Sequence, residues 1–311
     1  MKLELWQLRQ RQSLPLALKV RLTKQRIRQW YQMHGGDVYV AFSGGKDSTV
    51  MLHIARTLYP DLPAVFMATG LQYPEVVAFV KTVENVEVLI PTKSFTRVIE
   101  EDGYPVVSKK VARFVSDLQN ASERNQATCN LRLTGYNRAG EFCPSMKLSK
   151  KWLYLVDAPF KISGRCCDHL KKKPAKGYVR RTGRVPLIGT MAVESQRREQ
   201  QYLRQGCMVL GKRSPQCLPM AFWTEQDVLR YLHERDLPYA SIYGDIEVVD
   251  GKYHLTGEQR TGCIFCMFGV FFDTTPNRFQ RLKTLHPHLY EYCMDKLQIA
   301  QVLDYIGVDY T

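Results

Sequence analysis

One eleven-residue stretch, from Val38 to Ser48, most constrains what this chain can fold into. Its first five residues, Val-Tyr-Val-Ala-Phe, form a short apolar run rich in β-formers, as in a central strand of a parallel sheet. Ser43-Gly44-Gly45 follows as a turn, and from Asp47 onwards apolar residues recur at helical spacing. The stretch therefore predicts a strand, a glycine turn and a helix start in direct succession.

The turn between this strand and this helix is suited to binding an anion. Gly44 and Gly45 can adopt positive φ angles, and without side chains they let backbone N–H groups approach a ligand closely. An anion in the turn would also meet the positive end of the helix dipole. We therefore predict a phosphate site over residues 43–48, and a plain glycine turn without a ligand is the alternative.

The loop sequence Ser43-Gly-Gly-Lys-Asp-Ser48 lacks the spacing of the common P-loop, G-x-x-x-x-G-K-[ST]. It resembles instead the pyrophosphate loop (PP-loop) of the adenine-nucleotide α-hydrolase-like enzymes, which include ATP pyrophosphatases, sulfur-transfer enzymes and sulfonucleotide reductases. The resemblance implies that ATP is held here and cleaved between its α and β phosphates. It also implies that Lys46 and Asp47 are catalytic, with Lys46 neutralising phosphate charge and Asp47 placing Mg²⁺. The residues that would contact the nucleotide are Ser43, Gly44, Gly45, Lys46, Asp47 and Ser48.

A second signature follows the next predicted strand, which spans Pro63 to Ala68. The sequence Thr69-Gly70-Leu-Gln-Tyr-Pro-Glu resembles a segment of the same enzymes, although Ala68 stands where they have Asp or Asn. Ligands of open parallel sheets bind beyond the carboxyl ends of the strands. Thr69 and Gly70 are therefore predicted to line the nucleotide pocket.

Strands and helices alternate along the first hundred residues. A third strand is predicted between Glu84 and Pro91, and a helix follows from Ser94. This order predicts an α/β fold with a doubly wound, mostly parallel sheet, of the PP-loop (HUP-like) type. We expect an N-terminal helical segment over residues 1–34, the nucleotide-binding domain over 35–220, and a helical, cysteine-bearing region over 221–311. Residues 121–141 are polar and are predicted to form a mobile excursion.

Composition narrows the class of protein. With 311 residues, 45% of them hydrophobic, the chain can bury a substantial core. It has no run of eighteen apolar residues and its first residues are polar, so we expect a cytoplasmic protein without a membrane span or signal peptide. Nine cysteines in such a protein indicate a metal, a cluster or catalytic thiols rather than disulfides.

The net charge of +14 favours a polyanionic partner, which could be nucleotide, nucleic acid or both. Between Ser145 and Arg184, twelve Lys or Arg residues stand against two acidic residues. A solvated loop face is the plain interpretation of such a run. Because the run encloses two adjacent cysteines, an anion site is the other interpretation.

The cysteines give the second strong signal. Cys166 and Cys167 are adjacent, and ninety-five residues separate them from Cys263-Ile-Phe-Cys266. Four thiolates can hold a [4Fe–4S] cluster or a tetrahedral zinc ion. Adjacent cysteines fit awkwardly around a single zinc ion, which favours the cluster over zinc. Unliganded core cysteines are a third interpretation.

This cysteine pattern resembles that of the cluster-bearing sulfonucleotide reductases. The segment from Cys166 to Pro174 resembles their Cys-Cys-x-x-x-Lys-x-x-Pro, and Trp223-Thr-Glu-Gln-Asp-Val and Leu237-Pro-Tyr resemble later segments. The resemblance covers about residues 38–268 and implies that the four cysteines are the cluster ligands. It also marks Arg197 and Arg198 as candidate phosphate or sulfate contacts, with Arg197 catalytic. Surface arginines on an exposed helix are the alternative.

Two departures separate the chain from the reductases themselves. Their C-terminal Glu-Cys-Gly-Leu-His motif is absent, and Cys293 lies within a helical pattern. Their phosphate loop tends to be degenerate, whereas residues 43–48 match the intact form of ATP-hydrolysing members. We therefore predict an ATP-dependent adenylylating enzyme for sulfur transfer. Its candidate partners are an adenine nucleotide, a nucleic acid or other polyanionic acceptor, a sulfur-donor protein and a second copy of the chain. Sulfonucleotide reduction and binding without turnover are the alternatives.

Overall fold

The computed structural model describes residues 3–211 and 215–311, so small parts of the predicted N-terminal segment and nucleotide-binding domain lie outside the described residues. The α-helices of the described part are, in chain order, α1 (Leu5–Gln12), α2 (Leu16–Met33), α3 (Lys46–Arg56), α4 (Pro74–Thr82), α5 (Phe95–Glu101), α6 (Lys109–Gln119), α7 (Gln126–Thr134), α8 (Lys173–Thr182), α9 (Gln196–Gln205), α10 (Glu225–Glu234), α11 (Arg278–Leu285), α12 (Pro287–Glu291) and α13 (Ile299–Ile306). The strands are β1 (Val38–Ala41), β2 (Ala64–Met67), β3 (Val86–Leu89), β4 (Val106–Val107), β5 (Val185–Ile188), β6 (Met208–Val209), β7 (Gln216–Cys217), β8 (Ile246–Val249), β9 (Lys252–Leu255) and β10 (Met267–Phe268). None of these helices is both long and apolar enough to cross a membrane.

Contacts within the chain divide it into two compact units. The first unit consists of Met1–Ala68, Gln72–Ile90 and Pro174–Thr261. The second consists of Thr69–Leu71, Pro91–Lys173 and Gly262–Thr311. Each unit is therefore assembled from segments that lie far apart in the sequence.

The first unit contains a sheet with the strand order β3-β2-β1-β5-β7-β6. Neighbouring strands are parallel except β6 and β7, which are antiparallel. From β1 the chain builds outward through β2 to β3, and its later strands add on the other side of β1. The sheet is thus doubly wound and mostly parallel, which confirms the predicted fold class and creates a topological switch point between β1 and β5.

The central strand is apolar because both of its faces are covered. Val38 and Val40 are completely buried, and the ring of Tyr39 meets the ring of Tyr178 edge-on at 4.8 Å. Burial of each such valine contributes roughly 1.5–3 kcal/mol to folding. This packing fixes the end of β1, where the phosphate loop begins.

A buried polar contact ties helix α2 to the start of helix α10. The Lys19 ammonium is 2% exposed and donates to the Asp227 carboxylate at 2.6 Å. Asp227 also accepts a hydrogen bond from the backbone of Thr224, the residue that caps α10. Beside them, the indole N–H of Trp223 donates to the Thr23 hydroxyl at 2.9 Å. The Trp-Thr-x-x-Asp segment noted in the sequence therefore starts one helix and joins it to another.

Replacing Asp227 with asparagine should lower the free energy of unfolding by about 3 kcal/mol, because it leaves the Lys19 charge buried and unpaired. Urea unfolding measures this change. The matched control is Arg230→Ala on the same helix, which breaks an exposed ion pair with Glu234 and should cost under about 1 kcal/mol. Equal effects of the two substitutions would contradict the assigned role of Asp227.

The second unit contains residues 121–141, the segment predicted to form a mobile excursion, and residues 126–134 of it are helical. They form helix α7, in which Arg132 is 2% exposed. Arg132 donates to the Asp117 carboxylate at 2.9 Å and lies 3.9 Å from the centre of the Phe114 ring. One buried ion pair and one cation–π contact stabilise this polar helix. Because neither contact requires an apolar periodicity, the sequence pattern does not reveal the helix.

Candidate functional site

The loop from Ser43 to Ser48 leaves β1 at the switch point of the sheet. Gly44 has a φ of +72°, and a Cβ there would meet the side chains of Val76 and Val80 at 2.7 and 2.6 Å. Gly45 is extended instead, with a φ of −81°, and caps helix α3 without a side chain. The expectation of a positive φ thus holds for Gly44 alone, because Gly45 leads directly into the helix.

Two serines brace the loop. The Ser43 N–H donates to the Ser48 hydroxyl oxygen at 3.1 Å, and the two hydroxyl oxygens lie 3.0 Å apart. The Ser48 hydroxyl also lies 2.8 Å from the Gly45 carbonyl, to which it can donate. The loop is therefore held in a fixed turn at the amino end of α3, where the first-turn N–H groups lack intrahelical acceptors.

Gly189 at the end of β5 brings a second segment against the loop. An ideal Cβ at this position would lie 3.0 Å from the Asp47 carbonyl oxygen and 3.0 Å from the Met51 Cβ. Only a residue without a side chain permits this approach at no cost. Substitution of Gly189 would push the end of β5 away from the first turns of α3.

Lys46 is held by residues more than 170 positions away in the sequence. Its ammonium is nearly buried, donates to the Gln259 carbonyl at 2.8 Å, and lies 3.2 Å from the Glu225 carboxylate. Its backbone N–H donates to the Tyr243 hydroxyl at 3.2 Å, and that hydroxyl is 2.6 Å from the Thr261 hydroxyl. A cation is thus preorganised beside the loop, with a half-exposed carboxylate as its partner.

Asp47 carries a buried carboxylate oxygen, Oδ1, that has no hydrogen-bond donor among the described residues. Burial raises the pKa of Asp47, Glu225 adds to this rise, and the charges of Lys46, Arg260 and Arg198 oppose it. Oxygen ligands of this type are those that Mg²⁺ prefers. The residues present therefore fit a magnesium ion at Asp47.

The raised pKa of Asp47 has a consequence for stability. Above the pKa of this group in the unfolded chain, folding must bury a charge, so the ionised carboxylate opposes folding. We expect Asp47→Asn to be more stable than the wild type at pH 7. The difference should shrink as the pH falls through the raised pKa towards the unfolded value.

Chemical denaturation at pH 7 and near pH 4 measures this difference. The control is Asp61→Asn, which changes an exposed carboxylate of the same unit and should leave the free energy of unfolding nearly unchanged. An Asp47→Asn protein that is less stable at pH 7 would show that the ionised carboxylate is satisfied in the folded state.

The two candidate arginines differ in their positions. Arg197 is exposed, whereas Arg198 is half-buried, pairs with Glu194, and is close enough to Asp47 for their charges to interact. Burial lowers the pKa of Arg198, and the negative charge of Asp47 opposes that shift. The structure therefore associates Arg198 with the loop, and a catalytic role for Arg197 stays a prediction.

Four residues around the loop were missed in the sequence, namely Glu225, Tyr243, Arg260 and Thr261. They lie 170 or more positions from Lys46, and no local pattern links them to it. The one sequence feature that could have pointed to these four residues is their position between Trp223 and Cys263, the start of the Cys-x-x-Cys motif. Thr69 and Gly70 belong to the second unit, so their part in a nucleotide pocket stays a prediction.

The four predicted cluster cysteines all belong to the second unit. The sulfurs of Cys166 and Cys167 lie 4.0 Å apart at the start of a helical stretch that passes through a π-helical turn into α8. The Cys266 N–H donates to the Cys263 carbonyl at 3.0 Å and closes a turn before β10. The charges of Cys263 and Cys266 act on Cys166, so the structure brings the two pairs near each other.

Neighbouring backbone segments fix this arrangement. Strand β10 pairs in parallel with β4, and Val107 in β4 has a φ of +59°, a strained value for a β-branched residue. The Ser163 N–H donates to the Tyr104 carbonyl at 3.0 Å, which lays the segment before Cys166 alongside the residues that lead into β4. Arg278 donates to the carbonyls of Cys266 and Phe268 at 2.9 and 3.0 Å.

Electrostatics favour the thiolate form of Cys167, whereas the hydrogen bond to Cys167 and burial raise the pKa of Cys166. The Cys166 thiol, together with the charges of Lys109 and Lys171, lowers the pKa of Cys167 to about 5. Burial raises the pKa of Cys266 to about 11. Desolvation would lower the pKa of Lys171, but the charges of Cys263 and Cys167 raise it.

Four thiols beside two lysines form a donor set that fits a [4Fe–4S] cluster, whose ligands are cysteine thiolates. Within residues 3–211 and 215–311, no three Cys, His, Asp or Glu side chains converge closely enough to hold a single metal ion. The nine cysteines are all free thiols. Zinc stays the alternative metal.

Comparison with known proteins identifies the family. The model of the phosphoadenosine phosphosulfate reductase domain matches residues 37–106 and 99–267. The chain belongs to this family. The family resemblance seen in the sequence is thereby confirmed, and the phosphate loop and both cysteine segments fall within the matched residues or at their edge.

Individual relatives are distant. The adenosine 5′-phosphosulfate reductase of Staphylococcus epidermidis is 24% identical over 260 residues, which are 82% of this chain and 80% of that protein. An uncharacterized protein of Methanocaldococcus jannaschii is 23% identical over 281 residues, or 88% of this chain and 51% of that protein. The chain thus spans about half the length of the archaeal relative.

Two solved structures are distantly similar to the chain. The phosphoadenylyl-sulfate reductase of Candida auris, in a phosphate complex, is 14% identical with a TM-score of 0.40, over 74% of this chain and 91% of that one. The U34-tRNA thiolase of Methanococcus maripaludis, solved with its [4Fe–4S] cluster, is 15% identical with a TM-score of 0.38, over 94% of this chain and 82% of that one.

Proposed function

We propose that this family member binds ATP at residues 43–48, releases pyrophosphate and adenylylates an acceptor, to which sulfur is then transferred. The feature that carries the proposal is the intact loop, with Gly44 in a left-handed conformation, a nearly buried Lys46 and a buried, unpartnered oxygen on Asp47. A nucleotide loop that only held a sulfonucleotide would not need a buried carboxylate beside its lysine.

The chemistry assigned to the loop follows from its groups. An acceptor oxygen attacks the α-phosphorus of ATP, the bond from that phosphorus to the bridging oxygen breaks, and pyrophosphate leaves with the electron pair. Lys46 and the first-turn N–H groups of α3 stabilise the negative charge on the departing phosphates. Arg198, whose charge interacts with that of Asp47, would contact an anionic oxygen there. A sulfur nucleophile can then displace AMP from the activated acceptor.

Asp47 would hold Mg²⁺, which supplies charge neutralisation on the phosphate oxygens when bound. Cys166, Cys167, Cys263 and Cys266 would hold a [4Fe–4S] cluster, which supplies a fixed charged centre in the second unit. Lys109 and Lys171 stabilise the thiolate form of Cys167.

Sulfonucleotide reduction is the second candidate, and the relatives named as reductases favour it. It requires an accessible cysteine nucleophile. Cys293 is completely buried, and burial raises its pKa above the ordinary range, so it does not offer a reactive thiolate. This burial favours adenylylation over reduction.

Product analysis separates the candidates. Anaerobically purified protein is incubated with ATP and Mg²⁺, and in parallel with adenosine 5′-phosphosulfate or its 3′-phosphorylated form and a thiol reductant. Pyrophosphate and AMP from ATP are the expected products. Sulfite from either sulfonucleotide, without pyrophosphate from ATP, would instead establish a reductase, and tight nucleotide binding without either product would establish a binding module.

A further inference from the structure

Six aromatic side chains of the second unit form a continuous series. Successive ring centres lie 5.3, 6.5, 5.7, 5.4 and 5.6 Å apart. We call this series the aromatic stripe; in spatial order it consists of Phe271, Trp152, Tyr154, Tyr305, Phe160 and Tyr104. Its members come from four separate parts of the sequence, so only the fold creates it.

One end of the aromatic stripe is open to solvent. Tyr154 is 40% exposed and Phe271 37%, and the adjoining Phe272 is 88% exposed. Behind them, Leu155 is completely buried, and the Tyr305 hydroxyl donates to the Tyr154 carbonyl at 3.0 Å. The exposed rings are therefore held in fixed positions, which lowers the entropic cost of stacking a planar group on them.

The other end of the aromatic stripe lines a cavity of about 500 Å³. Tyr104 and Phe160 are aromatic lining residues, and the exposed Lys161 and Lys296 also line the cavity, without an ion-pair partner among the described residues. The remaining polar lining includes Glu100, Gln298 and Gln301. The cavity offers a stacking surface, amides that can pair with base edges, and an excess of positive charge.

Lysines accompany the exposed rings as well. Lys150 and Lys151 directly precede Trp152, and the Lys151 ammonium lies 4.9 Å from the Trp152 ring. The segment belongs to the run of residues 145–184, in which basic residues outnumber acidic ones by twelve to two. A hydrophobic protein partner would not need this charge, whereas phosphates between stacked bases would.

We propose that the aromatic stripe and its cavity bind a single strand of nucleic acid. Bases stack on Phe271, Phe272 and Tyr154, phosphates contact the lysines 150, 151, 161 and 296, and one unpaired base enters the cavity. A nucleic acid strand would then be the polyanionic acceptor of the proposed function. Only the adenylylation of the bound strand rests on that proposed function. Binding itself requires neither ATP nor a cluster.

Fluorescence anisotropy with labelled twelve-residue oligonucleotides tests the proposal, using the full chain without ATP. Parallel measurements with single-stranded RNA and single-stranded DNA show which of the two nucleic acids binds. A duplex of the same sequence tests whether unpaired bases are needed. Tyr154→Ala/Phe271→Ala should weaken single-strand binding about tenfold or more. Trp6→Ala, which removes a more exposed aromatic side chain of the first unit at 64% exposure, should leave binding unchanged.

Two further variants make the result robust. Phe272→Ala removes a side chain that is almost fully exposed, so the fold is retained, and it should also weaken binding. Lys150→Ala/Lys151→Ala should lower the salt dependence, reducing the slope of log K against log salt concentration by about 0.7 for each phosphate that the lysines no longer neutralise.

Equally tight binding of the duplex, or unchanged single-strand binding by the Tyr154/Phe271 and Phe272 variants, would overturn the proposal. Absence of single-strand binding in a protein that still releases pyrophosphate would overturn it while leaving the proposed function in place. Stripe-dependent binding in a protein that releases no pyrophosphate would support it and overturn the proposed function instead.

Discussion

Replacing Asp47 with alanine should reduce pyrophosphate release from ATP by at least about a hundredfold while the protein stays folded. The carboxylate oxygen Oδ1 is buried without a donor, so its removal costs the fold no hydrogen bond. Its loss removes the oxygen ligand that would place Mg²⁺ against the departing phosphates. Pyrophosphate release is followed with a coupled phosphatase assay, and folding by circular dichroism.

The matched control for this prediction is Asp61→Ala, which removes an exposed carboxylate from the same unit and should retain full turnover. The Asp47→Asn protein gives an independent check, since it should combine raised stability at pH 7 with lost turnover, as expected when a site residue is strained by its function. Unchanged turnover in the Asp47→Ala protein would contradict the assignment of this loop as the site of ATP cleavage.

Replacing Cys263 and Cys266 together with serine should abolish binding of iron and sulfide. A cluster ligated by two distant pairs closes a long loop, so its loss should loosen the segments that carry the ligands. In hydrogen exchange we expect faster exchange at residues 161–173 and 262–269 of the second unit, while the phosphate loop of the first unit keeps its protection.

Anaerobic iron and sulfide analysis with absorption spectroscopy measures the cluster itself. The matched control is Cys129→Ser/Cys143→Ser, two thiols of the same unit that are not among the proposed ligands, and it should retain the full iron content. Stoichiometric zinc without iron in the wild type, or a full cluster in the Cys263/Cys266 variant, would defeat the assignment.

The sequence by itself determined the elements around the phosphate loop. An apolar run ending in Ser-Gly-Gly predicts the end of β1 and the start of α3 because strand burial, glycine φ angles and helical periodicity are properties of neighbouring residues. The alternation of strands and helices likewise predicts a doubly wound parallel sheet, since parallel neighbours require a crossover connection. The cysteine pairs indicate a metal or cluster by residue type alone.

Only the tertiary structure decided which distant residues meet. The partners of Lys46 lie at Glu225 and Gln259, the Oδ1 oxygen of Asp47 is left without a donor, and the ion pair of Arg132 orders a polar helix. The aromatic stripe joins residues from Tyr104 to Tyr305. Such contacts depend on how whole elements pack and on which polar groups are then buried, and neither is encoded in the spacing of residues along one segment.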